Sequence, residues 1–383
     1  MPLNFDFDLV TCFRYDPKLL TAAWNSETNG IETPYLLFKY HFQRLVSTTS
    51  HLAALSPNWE RARTRIADDV GESGLRELCD AAVMKCLLKE KDKGIGMRVL
   101  LASDGQIRVE THPIRPLTRH PFAPVHFIPP PPPVFPSVLS STSNFTTFED
   151  YLENMQPLPQ PIFQVVLDSQ PLSASSSLSS LSSPSSSSSS SSSSLSPLPN
   201  TASVTGNSRS KTPPLSLFTN YKTTYRVHYD SARARAGIHP RGQNSGKGGK
   251  EQLREVLVWN ELGEIMEGSV RNVAFWRRKE RSKKSKDSAR QRNGIEADPE
   301  WGWVCPPLPR DFSLHKRDKL NTTIGLTGLP GTVQRYLLEQ GLLEESEKPI
   351  KKEEVRVGDW ILLSNGWEGT VLGVVVPNSY SDE

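Results

Sequence analysis

The chain has 383 residues, with 45 Lys and Arg against 42 Asp and Glu, a formal net charge of +3 and 36% hydrophobic residues. This balance creates no field favouring nucleic acid or a membrane surface, and no stretch approaches the roughly 18–20 apolar residues of a membrane-spanning helix. The four cysteines, Cys12, Cys79, Cys86 and Cys305, lack the spacing of metal ligands or of a disulfide framework. Residues 1–8 carry acidic groups and no basic-then-apolar leader, so a soluble, cytoplasmic protein is expected.

Residues 1–112 are expected to form a smaller α+β domain. Pro34 is placed to open a helix in which Phe38, Phe42 and Leu45 recur at i, i+4 and i+7, with Arg44 on a neighbouring face and His41 packed beside it. A second helix is predicted over 57–91, its stripe formed by Leu75, Leu78, Cys79, Ala82 and Cys86. A hairpin follows, turning at Asp104-Gly105.

Residues 113–160 read as a Pro-rich insertion, polyproline-like around the five prolines at 129–133. Residues 161–172 read as a strand joining two domains. The Ser-rich segment 173–214 has no apolar pattern to offset chain entropy and is expected to be a disordered, tolerated insertion.

A larger C-terminal domain is expected over 215–380. It begins with a loop and helix at 218–235, then a strand pair over 255–269 turning at Gly263, and a strand at 273–276. A basic loop insertion occupies 277–298; its charges are diluted by Glu280 and Asp287 and not interleaved with aromatics, which favours a solvated loop over a nucleic-acid contact. A strand at 303–308, a helix at 332–340 bounded by Gly331 and Gly341, and β structure at 355–366 and 370–376 complete the domain. This mixed order predicts an α/β (α+β) fold rather than a doubly wound sheet.

Three features together suit pyridoxal 5'-phosphate (PLP), a cofactor that needs a lysine, a carboxylate for its ring nitrogen and an anion site for its phosphate. Lys222 lies in a hydroxyl-rich loop leading into a helix. Glu267 ends a strand before Gly268-Ser269, where backbone can approach a ligand. Gly331, Thr332 and Val333 present free N–H groups at a helix start. Each alone is ordinary: a solvated lysine, a β-turn, one helix end among many.

Taken in order, four segments resemble the class-IV PLP-dependent aminotransferases and lyases, the family of branched-chain and D-amino-acid aminotransferases and of 4-amino-4-deoxychorismate lyase. The segments are LFKYHFQRL at 37–45, FTNYKTTYRVHYDSAR at 218–233, EGSVRN at 267–272 and TGLPGTVQRYLLE at 327–339. The resemblance implies a two-domain fold of PLP fold type IV, with Lys222 as the Schiff-base lysine, Glu267 at the pyridine nitrogen, and Arg44, Thr332 and Val333 at the phosphate. Asn272 belongs to the same cofactor set, and Arg98, Ser364 and Asn365 are substrate-binding candidates. The Lys222 segment looks most like fungal 4-amino-4-deoxychorismate lyases, which implies production of 4-aminobenzoate and pyruvate for folate synthesis by a homodimer acting on a small-molecule substrate. Gln334, where the family commonly has arginine, and Tyr221, where histidine is more usual, depart from that pattern. An aminotransferase of branched-chain or D-amino acids, and a decayed relative acting as a binding protein, are the alternatives. The eight histidines form no metal motif, and no nucleophile elbow supports a hydrolase.

Overall fold

The computed structural model describes residues 7–88, 93–129, 161–172, 215–238, 253–279, 301–309 and 327–378. Most of the Pro-rich segment, all but one end of the basic loop and the whole Ser-rich tract lie outside these residues.

A three-stranded antiparallel sheet in the order β1-β2-β3 forms from Leu9–Tyr15, Gly94–Leu101 and Ile107–Ile114. Alternation along β2 sends Ile95, Met97, Val99 and Leu101 to one face, where they are buried with Leu45 and Leu52 of helix α2 (Phe38–Leu55). Burial of each such side chain contributes about 1.5–3 kcal/mol. The β2–β3 hairpin turns where expected: Gly105 takes φ 87°, and its neighbour Gln106 N–H donates to Asp104 Oδ1 at 2.9 Å.

Pro34 does not open α2. Asp16 N–H donates to Pro34 O and Leu36 N–H to Arg14 O, each at 2.9 Å, which ties residues 34–36 to β1 as extended chain. The helix therefore starts only at Phe38. Nor is 57–91 one helix. A 3-10 turn at Pro57–Trp59, a short helix at Glu60–Thr64, a wide π turn at Arg65–Val70 and a helix at Gly71–Leu87 follow one another. The break at Gly71, at φ 64°, resets the phase. Leu75, Cys79 and Val83 face the core, whereas Leu78 is 40% exposed.

The larger sheet has eight strands in the order β6-β5-β4-β11-β10-β7-β8-β9. In chain order β4 to β9 are Ile162–Leu167, Arg254–Trp259, Ile265–Gly268, Asn272–Arg278, Trp301–Cys305 and Glu344–Glu345. Trp360–Asn365 and Gly369–Val375 are β10 and β11. β4 pairs in parallel with both β5 and β11, so the strand expected to join domains sits inside this sheet. The sheet curls: β6 and β7 stand far apart in strand order, yet Gly268 N–H donates to Arg271 O at 2.8 Å across the turn that links them.

Curling gives the sheet an inner and an outer face. Along β10, Ile361 and Leu363 pack inward with Val165, Phe275 and Val371, while Leu362 packs outward against Val333 and Leu337. Those two residues belong to helix α7 (Thr332–Glu339). Helices α5 (Leu215–Asn220) and α6 (Val227–Arg235) flank the loop at 221–226, and α6 buries Tyr229 and Ala232 against Val256, Val258 and Met266. The fold is thus mixed α/β, as expected. Among the described residues no helix is long and apolar enough to cross a membrane.

Candidate active site

A cavity of about 600 Å³, open mouth included, lies between the two sheets. Lys222, Glu267, Arg44, Asn272, Thr332, Val333, Ser364 and Asn365 all line it. Arg98 does not. It sits opposite Cys12 in the β1–β2 register and its guanidinium donates to Glu110 Oε2 at 3.1 Å, so cross-strand pairing occupies it.

The loop carrying Lys222 is strapped along the edge of β1. Val10 N–H donates to Lys222 O at 2.7 Å, and Thr224 N–H to Asp8 O at 2.9 Å. Phe218 and Tyr225 stack at 4.1 Å across the base of the loop. The amine at its tip is held below its usual lysine range by burial, opposed in part by Cys12 and reinforced by Arg44 and Arg226.

Glu267 ends β6. Burial raises its carboxyl to about 7, although Tyr229 Oη–H and Leu329 N–H (3.1 Å) both donate to Oε1. No described residue hydrogen-bonds Oε2, which leaves that oxygen available to a ligand.

Arg44 is half-buried, and desolvation lowers its guanidinium to about 10. Its Nη2 donates to Thr11 Oγ1 at 2.6 Å, and no carboxylate among the described residues pairs with it. A partly desolvated cation left without a counter-charge is unfavourable, and an anionic ligand would supply one. The start of α7 offers further donors, since Thr332 and Val333 N–H lie in the first turn.

Close packing fixes this helix start. Asn272 Nδ2 donates to Leu329 O at 2.6 Å. A Cβ on Gly331 would lie 1.8 Å from Asn272 Oδ1, so any side chain there would have to displace Asn272. Gln334 turns back on its own helix and accepts from Gly331 N–H at 3.4 Å. Asn365 likewise serves its own turn: Oδ1 accepts from Trp367 and Glu368 N–H at 2.8 Å.

Several cavity residues carried no assignment from the sequence. Cys12 reaches the cavity from the middle of β1, with no local signal. Arg226 and Tyr229 follow Lys222 by four and seven places in the run quoted above; Arg226 Nη2 donates to Ser269 O at 2.5 Å. Arg271 is a buried cation satisfied on both sides, by Glu255 at 3.0 Å and Glu368 at 2.7 Å. Among the described residues no cluster of His, Cys, Asp or Glu is arranged to hold a metal, and all four cysteines are free.

No family model matches the sequence. An aminodeoxychorismate lyase from Saccharomyces cerevisiae is 32% identical over 165 residues, 42% of this chain. That stretch is 34% of the yeast protein, so the chain matches about a third of the length of this curated relative. A Mesorhizobium loti structure provisionally named an amino-acid aminotransferase overlays with a TM-score of 0.44 at 16% identity, covering 97% of this chain and all of the other. A Brucella abortus aminotransferase bound to PLP gives a TM-score of 0.41 at 11% identity, over 97% of this chain and 80% of its own. Superpositions this loose establish no shared chemistry; the sequence likeness to the yeast lyase is the firmer of these relationships.

Proposed function

We propose that this protein is a PLP-dependent 4-amino-4-deoxychorismate lyase of fold type IV, releasing 4-aminobenzoate and pyruvate. One observation carries the reading: Lys222, Glu267, Arg44 and the start of α7 come from four distant parts of the chain and line one cavity. The likeness to the yeast lyase supports the choice of reaction.

The residues present fit the cofactor. Arg44, without a carboxylate partner, and the first-turn N–H groups of α7 meet the demand of a phosphate for positive potential. Glu267 has an oxygen free for the ring nitrogen, and a carboxyl near 7 can hold or share the proton there. Lys222 is half-buried and desolvation depresses its amine, which raises the neutral, nucleophilic fraction needed to hold the cofactor covalently. When bound, PLP supplies an electron sink for bond cleavage beside the substrate's amine.

The chain's own groups then have defined tasks. Arg44, Thr332 and Val333 anchor the phosphate, and Asn272 holds the 329–331 segment in place. Glu267 keeps the ring nitrogen protonated. Lys222 would hold the cofactor and, when not so engaged, would serve as the base for the proton on the substrate ring carbon that bears the amine. Arg226, beside Lys222 and Glu267, adds positive potential that suits a substrate with carboxylates.

The purified protein with PLP should form 4-aminobenzoate from 4-amino-4-deoxychorismate, and Lys222→Ala should abolish it. Keto-acid formation from branched-chain or D-amino acids, without 4-aminobenzoate, would assign an aminotransferase instead. Failure of the wild-type protein to develop a Lys222-dependent absorbance band with PLP would remove the enzyme reading altogether.

A further inference from the structure

A continuous hydrogen-bonded row crosses from the small sheet to the start of α7. Arg44 Nη2 lies 2.6 Å from Thr11 Oγ1, Thr11 Oγ1 lies 2.7 Å from His41 Nδ1, and His41 Nε2 lies 3.1 Å from Thr332 Oγ1. Thr11, His41 and Thr332 are each 5% exposed or less. The row joins β1, α2 and α7, and both of its ends, Arg44 and Thr332, line the cavity.

The proton count along the row gives it a direction. Burial, reinforced by Arg44 and Lys222, holds His41 well below its ordinary value, so the ring is neutral and carries one N–H. Arg44 can only donate, which fills one acceptor site on Thr11. If Nδ1 carried the ring proton, Thr11 would accept twice and its own O–H would have no described partner in a buried position. Thr332 would also have to spend its hydroxyl proton on Nε2. With the proton on Nε2, Thr11 donates to Nδ1, His41 donates to Thr332 Oγ1, and every group in the row is satisfied. The Thr332 hydroxyl proton is then free to point into the cavity.

We infer that His41 is a positioning residue for the anion site: it fills the acceptor side of Thr332 Oγ1, so that the hydroxyl serves as a donor to a bound phosphate. Through Thr11 the same ring steadies the Arg44 guanidinium. The structure around His41 leaves little room for another arrangement, since a Cβ on Gly366 would come within 2.9 Å of His41 Cε1. The inference rests on the cofactor reading above and adds a role for a residue that touches no ligand itself.

The test compares the affinity of the protein for PLP and for pyridoxal, which lacks the phosphate, read by absorbance or fluorescence titration. His41→Phe keeps a ring without its nitrogens and should weaken PLP binding about tenfold, while pyridoxal affinity stays within about twofold. Thr332→Val should give the same phosphate-selective loss, and the double variant no more than the larger single loss, because both changes remove one donor. His41→Gln, with an amide N–H able to reach Thr332, should recover part of the difference. Should His41→Phe fold poorly, Thr11→Val cuts the row at its other end and should show the same selectivity. Equal losses for both ligands, losses that multiply in the double variant, or no loss would overturn the role of His41. A wild-type protein that binds neither ligand would instead overturn the cofactor reading.

Discussion

Tyr229 and Glu267, on α6 and β6, are buried together, and the phenol donates to Oε1 of the carboxyl. Both groups are pushed up, the carboxyl to about 7 chiefly by burial, and the phenol well above 10 by burial and by Glu267. The pair therefore carries a proton into neutral pH that an exposed glutamate would have lost.

This has a consequence for the cofactor-free protein. Unfolded, Glu267 ionises near 4.5; folded, near 7. Between those values the folded state binds more protons, so the stability Glu267 contributes is present below pH 4.5 and lost as pH rises through 7. Glu267→Gln removes that dependence. Its stability relative to wild type should improve between pH 4.5 and 8 by up to about 3 kcal/mol, followed by denaturant unfolding at each pH. A constant difference across that range would show that the carboxyl is not raised.

Arg44 presents the opposite trade. In the absence of ligand its guanidinium is half-buried without a carboxylate, so Arg44→Met should leave the cofactor-free protein as stable or more stable, by up to about 1 kcal/mol. The same change should weaken PLP binding at least tenfold. Thermal melts with and without PLP measure both effects, and destabilisation of the cofactor-free protein would contradict the argument.

Arg271 is a buried cation of another kind. Glu255 and Glu368 both grip it, and Glu255 Oε1 accepts besides from Ser269 Oγ at 2.5 Å. Arg271→Ala leaves Glu255 buried with its counter-charge gone and should cost about 3–5 kcal/mol. Glu368→Gln, at the more exposed end, should cost about 1 kcal/mol or less. Equal losses in denaturant titrations would mean that the triad is not organised around Glu255.

Gly331→Ala should destabilise the start of α7 by about 1–3 kcal/mol, because the new methyl overlaps Asn272 Oδ1. The backbone there, at φ −72° and ψ 148°, suits any residue. The cost should therefore fall when Asn272 is shortened: Gly331→Ala with Asn272→Ala should melt higher than Gly331→Ala alone. A double variant that melts lower would place the strain elsewhere.

Local chemistry made much of this structure legible. Asp104-Gly105 marks its turn, and Gly331 and Gly341 bound α7, because each signal acts within a few residues. Pro34 misled for the converse reason: the bonds from Asp16 N–H to Pro34 O and from Leu36 N–H to Arg14 O, made to a distant strand, hold the 34–36 segment extended. The cavity was legible where an ordered set of short segments marked it, at Lys222, Glu267 and Thr332. Arg98 looked available because nothing in the sequence reveals that Glu110 lies opposite it. The link from His41 to Thr332 spans 291 positions, and Cys12 reaches the cavity only through strand register; neither leaves a local trace.

The pairing of β11 with β4 and β10 has a bearing on how the protein is made. By the time a ribosome has added residue 368, Arg44, Lys222, Glu267 and Thr332 all exist, but the strand that belongs between β4 and β10 does not. The nascent larger unit then exposes two unsatisfied strand edges more than 190 positions apart in sequence, and contacts of such separation form slowly. Joining of β4 to β10, and with it completion of the larger sheet, therefore waits for β11. A chain cut short before residue 369 would carry Arg44, Lys222, Glu267 and Thr332 yet lack the strand that joins the β6-β5-β4 half of the larger sheet to the β10-β7-β8-β9 half.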